Sequence, residues 1–461
     1  MLRRKLLFFL LVIAIALSAC TPAVTPTDAG APTRTRTPKP AATVEAATLL
    51  GVEEEALRGL KIEVWHPWFA GVEASLFESQ VQSFNAENPW GIEVMVRGQV
   101  SYSYLYENVT AALPTPRRPD LVIALPEHAR AWDADDYVVD LSPYVDDPLY
   151  GWTADDTSDF PAAFWAQDLA GAARLGVPAQ RTARLVLWNK TWADELGLSN
   201  APDVPEDFKE QACRAHQAML ADATPDNDGL GGWVIDADAM TALSWLLAFE
   251  GGVLEGEGYR FLTPNNIQAF RFVKALQQEG CAWQAPPAVD VLQAFAERKA
   301  LFATAGLEEF PDLMRAFAAA DNRDKWEVLA FPGDSQDVLV AYGSTYVVLE
   351  SNDEEQLASW LFLRWMLEPQ SDARWVETTG LFPLRTSSLD LLADYEASHP
   401  QWAQAVELTP QLQIQPQLAS WRTVRIMLGD GFDCLFRGSP QCEQAPLVLR
   451  QMESIAADLT D

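Results

Sequence analysis

The sequence predicts an α/β fold of two lobes joined by strands that cross from one lobe to the other, with a cleft between them. Three observations carry that prediction. At 461 residues the chain is too long for one small core, and length alone suggests roughly two or three domains. Between residues 61 and 124 strand-like and helix-like patterns alternate as β-α-β-α-β. Finally, 175–190 opens after a Gly/Pro turn, carries Gln180, Arg181 and Thr182, and then turns continuously apolar from Leu185 to Trp188. The apolar end reads as a buried strand. The polar start cannot share that core unpaired. A strand that leaves one core, crosses a wet gap and enters another has this pattern, and so, on apolar flanks around a polar or Gly break, do 299–306 and 338–349.

The elements follow in order. Arg3, Arg4 and Lys5 precede an unbroken apolar run over 6–17. That run is too short to span a bilayer and suits a secretory leader. It ends Leu17-Ser18-Ala19-Cys20, which resembles the bacterial lipoprotein box. The resemblance implies a signal peptide over 1–19 and lipidation of Cys20, so that acyl chains hold the protein to a membrane face without a spanning helix. Residues 20–58 begin rich in Thr, Pro and Ala and read as an extended, disordered tether, with a short helix possible over 46–58.

The first lobe is expected from 59–183 plus 300–343. Lys61 to Trp65 alternates as a strand, Val72, Leu76, Phe77, Val81 and Phe84 share one helical face, and 92–96 is a second strand. A helix over 104–113 leads to 120–124, whose apolar run predicts a central parallel strand. In such sheets ligands sit beyond the carboxyl ends of the strands, which points to Trp65, His66 and Trp68, to Ser101 and Tyr102, and to Leu125, Glu127 and His128. The second lobe is expected from 184–299 plus 344–461. It holds helices over 208–220, 242–249 and 289–297 and a helix that starts at Thr263-Pro264 with a cap residue and an N1 proline. An amphipathic helix follows over 353–368.

Composition narrows the function. Lys and Arg number 33 against 65 Asp and Glu, a net of −32, and such a surface repels nucleic acid and anionic headgroups. Seventeen Trp is high for this length; aromatic faces stack on sugar rings, and they also fill cores. Beside Cys20, the four cysteines are an even set that suits an oxidising compartment. Of the three possible pairings, Cys434–Cys442, around Arg437-Gly438-Ser439-Pro440, and Cys213–Cys281 are the ones expected. There is no phosphate-binding Gly-x-x-x-x-Gly-Lys-Ser/Thr and no Gly-x-Ser-x-Gly elbow. His66, His128, His216 and His399 are scattered without metal-ligand spacing. The stretch 224–229 echoes a calcium loop, but its first position is Thr and its twelfth is Ile235, so a solvated acidic turn is expected and no metal or cofactor.

Several stretches together carry a family resemblance: the lipoprotein box, the Thr/Pro tether, Ile62-Glu-Val-Trp-His-Pro-Trp68, Pro119-Asp-Leu-Val-Ile123, Val177-Pro178 through Trp188-Asn189-Lys190, Gly231-Gly232-Trp233, and Trp375 through Arg385. In this order they resemble the extracellular solute-binding proteins of ABC importers, in particular the sugar-binding group that includes maltose- and glycerol-phosphate-binding proteins. The resemblance covers about 60–461. It implies a type II periplasmic-binding-protein-like fold whose interlobe cleft closes on its ligand like a hinge. It implies cleft positions at His66, Trp68, Glu127, Gln180, Arg181, Trp233, Asp236, Asp238, Thr241, Gly306, Tyr342 and Ser344, with Trp421 and Arg422 beneath the ligand. A ring would be sandwiched between Trp68 and Trp233, while Asp238 and Glu127 bind hydroxyls. The family often has a second Gly where Ala341-Tyr342-Gly343 stands.

Two function classes follow. The first is a non-catalytic, membrane-tethered, monomeric binder outside the cytoplasmic membrane, which delivers a sugar, polyol or phosphodiester to an ABC permease. The second is an extracellular glycoside hydrolase or other carbohydrate-active lipoprotein, which needs a carboxylate pair at defined separation. In so acidic a chain no such pair stands out.

Overall fold

The computed structural model describes residues 47–256, 258–287, 289–440 and 442–460. The leader, Cys20 and the Thr/Pro stretch lie outside the described residues. No helix among the described residues is long and apolar enough to cross a membrane.

Two five-stranded sheets organise residues 47–460. In the first, the order is Glu93–Gly98, Lys61–His66, Leu121–Ala124, Thr345–Val348, Val177–Pro178. Leu121–Ala124 is central as expected, and buried at all four positions. It runs parallel to Lys61–His66 but antiparallel to Thr345–Val348, so the sheet is mixed rather than wholly parallel. The second sheet has the order Ala282–Gln284, Trp233–Ile235, Phe302–Ala305, Leu185–Trp188, Glu327–Leu329.

This pairing revises the expected lobe boundaries. Phe302–Ala305, assigned to the first lobe within 300–343, pairs antiparallel with Leu185–Trp188 in the second sheet. Thr345–Val348, assigned to the second lobe within 344–461, lies in the first. Helix Asp353–Met366 packs against that strand, and Pro369–Thr379 packs on the first-lobe helix Val72–Glu87. Each of these strands is buried on both faces and fits the middle of either sheet, so its local pattern does not say which. Residues 47–58, expected to be tether, are also ordered. The Thr48 hydroxyl and the Leu49 amide donate to Asp147 Oδ2 over 2.9 and 2.7 Å, and Val52 and Leu57 are buried.

The crossing at 175–190 is present. Val177–Pro178 pairs in the first sheet, Thr182–Ala183 in a third, small sheet, and Leu185–Trp188 in the second. The third sheet orders Leu412–Ile414, Leu339–Tyr342 and Thr182–Ala183 and forms the hinge. The chain crosses again at 338–349, where Leu339–Tyr342 in the hinge sheet is followed by Gly343 and then Thr345–Val348. The third expected crossing, 299–306, does not cross. Phe302–Ala305 stays in the second sheet, and Gly306 leads into the short helix Leu307–Glu309 and the helix Phe310–Ala319.

The helices begin where their caps lie. Asp238 accepts from the Met240 amide to start Ala239–Ala248, and Thr263 accepts from the Asn266 amide to start Pro264–Gln278. The last helices, Trp421–Cys434 and Ala445–Thr460, pack on these two and enlarge the second-lobe core around Trp245, Phe270 and Phe432. Cys213 bonds Cys281, and Cys434 bonds Cys442, the two expected pairs.

Candidate functional site

The strand ends determine what meets at the hinge. Past Lys61–His66 the loop presents Trp68. Past Glu93–Gly98 the helix Tyr102–Ala112 presents Tyr102. The two crossings bring Gln180, Arg181, Thr182, Tyr342 and Gly343. Past Phe302–Ala305 the chain presents Glu308, Asp312 and Arg315. Together with Glu73, Thr378, Thr379 and Arg425 these residues line a cleft of about 680 Å³ between the two sheets, within the range of small-ligand sites. A groove of about 420 Å³ adjoins it through Tyr342 and Arg425 and is lined by Asp238, Met240, Gly429 and Asp430 among others.

The floor is a network of hydrogen bonds. Glu308 accepts from the Thr182 hydroxyl over 2.6 Å and from the Tyr342 hydroxyl over 2.8 Å. It remains exposed to the cleft, while the protein around it raises its pKa, with the neighbouring Glu309 adding to the effect. Gln180 Oε1 accepts from the Tyr102 and Ser344 hydroxyls, each over 3.2 Å. Arg181 is fully buried and paired with Asp168 at 2.6 Å, and it also donates to the Ser344 carbonyl. Beside it, buried Arg184 pairs with Asp236 and with Glu309 and donates to the Thr241 hydroxyl over 3.1 Å. Buried cations paired in this way hold the hinge together rather than greet a ligand.

Of the expected positions, Trp68, Gln180, Arg181 and Tyr342 reach the cleft, and Asp238 and Tyr342 the adjoining groove. Others stand behind the lining. His66 is buried against Trp68 and Phe77, at ring-centroid distances of 5.4 and 4.9 Å, and burial lowers its pKa to about 4. Asp236 is committed to Arg184, and Thr241 and Ser344 are buried in the hinge network. Gly306 is buried and donates its amide to Glu309 Oε2 over 2.8 Å.

Glu127 is 2 % exposed, and its carboxylate faces Arg425 of the second lobe at 3.6 Å. Arg422 lies over the Tyr106 ring at 4.5 Å, another contact from the second lobe to the first. Two expectations are overturned. Trp233 is fully buried in the second core against Phe208 and Trp245, because its short strand is covered by helices on that face. It therefore has no free ring to oppose Trp68. Trp421 is likewise fully buried, its indole donating to Gln415 Oε1 over 3.1 Å.

Glu308, Asp312, Arg315, Thr378 and Arg425 were not singled out in the sequence. The one local signal was the end of the strand Phe302–Ala305, since ligands gather beyond strand ends. The acidic turn at 222–232 closes on itself: Asp222 accepts from the Thr224 amide and the Asn227 side chain, over 2.6 and 2.8 Å. Among the described residues, a grouping of metal-type ligands at Cys213, Glu279 and Cys281 has both sulfurs in a disulfide.

Comparison with known proteins agrees with this architecture. A family described as bacterial extracellular solute-binding protein matches residues 79–410. A Brucella abortus protein described as a binding protein is 22% identical over 378 residues, which is 78% of this chain and 85% of the relative. The sugar-binding protein MalE of Xanthomonas citri superposes with a TM-score of 0.74 at 18% identity, covering 87% of this chain and 97% of the other. A cyclic alpha-maltosyl-1,6-maltose binding protein of Arthrobacter globiformis gives 0.70 at 21% identity, over 86% and 98%. UgpB of Mycobacterium tuberculosis, solved in complex with glycerophosphocholine, gives 0.69 at 17%, over 87% and 98%.

Proposed function

Because the chain belongs to the bacterial extracellular solute-binding proteins, we propose that it captures a sugar or related polyol outside the cytoplasmic membrane and delivers it to an ABC import permease. The observation that carries this reading is the cleft itself. An aromatic face at Trp68 lies with Gln180, Glu308, Asp312, Tyr342 and Thr378 around one space between two lobes. Aromatic faces stack on the C–H faces of sugar rings, and carboxylates and amides bind paired hydroxyls. Structural relatives named for maltose, for a cyclic maltosyl-maltose and for a tagatose complex support this ligand class. The work required of the site is complementary hydrogen bonding and closure, since a ligand touching both lobes favours the closed form by its differential affinity. In this reading Cys20 is lipidated and the protein acts as a monomer.

A thermal-shift screen of the purified chain against mono- and disaccharides, polyols and glycerol phosphodiesters tests the ligand class. Small-angle scattering should show a more compact particle with the ligand that shifts the melt. Turnover of a sugar to products, or a fixed radius with tight binding, would overturn the hinged-binder reading. Fractionation of cells carrying Cys20→Ser tests the anchor, and unchanged membrane association would count against it.

A further inference from the structure

Among the described residues, three arginines line the cleft and its adjoining groove, and each is already matched by a carboxylate of the protein. Arg181 pairs with Asp168 at 2.6 Å, Arg425 with Glu127 of the opposite lobe at 3.6 Å, and Arg315 with Asp312 on its own helix. No Lys or His lines either space. The carboxylates are not all matched in return. Glu73 and Glu308 line the cleft, and neither has an ion pair among the described residues.

Helix N-termini are the other ready hold for an anion. Val72–Glu87 and Phe310–Ala319 both start at the cleft wall, and each carries its own acid in the first turn, Glu73 and Asp312. Those acids already take the favourable end of the helix dipole. Ala239–Ala248 starts at the groove beneath the Asp238 carboxylate, which accepts from the Met240 amide. Tyr102–Ala112 is capped by Ser101, which accepts from the Tyr104 amide. An acidic sugar or a phosphodiester would thus enter a space whose cations are all taken and whose helix starts already carry side-chain oxygens.

The net charge of −32 does not make this argument by itself, because salt screens surface charges beyond about 8 Å. Charges inside a walled space are screened much less and act more strongly on what enters. Glu308 is exposed to the cleft and Glu73 is half-buried. Both charges reach the Tyr102 hydroxyl: burial pushes it up to about 12, and Glu308 and Glu73 add to the effect against Ser344 and Arg181. Glu308 also keeps lone pairs beyond those it gives to Thr182 and Tyr342. An ammonium that donates to it gains a charge-assisted bond at both ends, where a neutral hydroxyl gains a weaker one.

We propose that the cleft selects an amine-bearing sugar or polyol, with Glu308 and Glu73 favouring its ammonium and turning acidic sugars and phosphodiesters away. The proposal rests on the solute-binding reading above and narrows it to one charge class.

Isothermal titration of the full chain with two matched series tests it. One is glucosamine, glucose and glucuronate; the other is a glucosamine dimer, a glucose dimer and that glucose dimer oxidised to its aldonate. The amine is expected to bind more tightly than the neutral sugar by roughly three- to thirty-fold, the margin of a charged over a neutral hydrogen bond, and the acid more weakly than the neutral sugar. Glu308→Gln should remove most of the amine's margin and Glu73→Gln a smaller part. The Glu73 side chain has no ion pair or hydrogen bond among the described residues, so the fold is not at stake in that variant. Raising the salt should shrink the margin, a response that a purely structural role for these acids would not give.

An acid that binds as tightly as its neutral counterpart, an amine without a margin, or a margin that survives both substitutions together would each overturn the proposal and leave the solute-binding reading standing. So would a neutral solute from the thermal-shift screen that binds while neither amine does. Failure of every member of both series, together with a blank screen, would overturn the solute-binding reading and this one with it.

Discussion

A β-carbon on Gly343 would lie 2.2 Å from the carbonyl oxygen of Gln180. The two crossing segments therefore touch backbone to backbone at the hinge, and Gly343 takes φ 145, a conformation L side chains rarely adopt. Gly343→Ala should destabilise the protein by about 1–3 kcal/mol from backbone strain alone, with the contact adding to it. Thermal melts of the unliganded variant check the size of the effect. An unchanged melting temperature would show that the crossings do not pack this closely.

Glu308 joins the hinge to the second lobe by accepting from Thr182 and Tyr342. A carboxylate that takes two protein hydroxyls still has lone pairs for a ligand hydroxyl. Glu308→Gln should weaken solute binding roughly ten- to a hundred-fold, the worth of a charged hydrogen bond. Its raised pKa means that the folded state holds the proton more tightly than the unfolded state does. The stability this contributes is present at low pH and is lost as pH rises through the raised value. Near neutral pH the variant should therefore melt no lower than the parent. Affinity in the parent should fall on acidification sooner than an ordinary Glu would allow, and the variant should lack that dependence. Titrations across pH with both proteins decide it.

How much of this was legible in the sequence depended on whether the signal was local. The crossing at 175–190 could be read because Gln180, Arg181 and Thr182 interrupt an apolar run, and a polar group must find partners wherever it is buried. The cap at Thr263 could be read for the same reason. Glu308 could not, since it is one of 65 acidic residues and nothing nearby marks it. Its role comes from Thr182 and Tyr342, which are distant in sequence. Nor does the pattern of Thr345–Val348 say which sheet it joins, because burial on both faces is the same in each. Trp233 misled because a Trp after a Gly pair serves equally as platform or as core.

That distinction is open to measurement. Trp68 is only partly buried and lines the cleft, against Trp375 at 5.1 Å. Trp233 is sealed in the second core. Trp68→Ala should abolish most of the ligand-induced thermal shift with a modest loss of unliganded stability. Trp233→Ala should lower unliganded stability by about 3–5 kcal/mol, the cost of emptying a buried aromatic site. Chemical denaturation of both variants, alongside ligand titration of the fraction that folds, separates the two roles. Matching effects in the two variants would contradict these placements.

Acid should loosen the protein through its buried histidines. His128, on the first-lobe helix Pro126–Asp133, is 1% exposed. Its pKa is lowered to about 3, first by burial and then by Arg422 and Arg425 of the second lobe. The buried Glu127 carboxylate faces the same Arg425. A histidine whose folded pKa lies below its unfolded value of about 6.5 takes up its proton only on unfolding. Its neutral form thus favours the fold above pH ~6.5, and that advantage is lost as pH falls toward 3, at about 1.4 kcal/mol per pH unit. His66, lowered to about 4, acts in the same sense. Asp120 and Asp372, both raised to about 6, act in the opposite sense and flatten the profile below that value. The clean measurement is therefore the difference between the parent and His128→Gln in denaturation free energy, followed from neutral pH down to about pH 5, where one histidine is worth roughly 2 kcal/mol. Any fixed penalty of the substitution cancels in the slope. The variant should lose stability more slowly on acidification, and parallel slopes would mean that His128 is solvated or already charged.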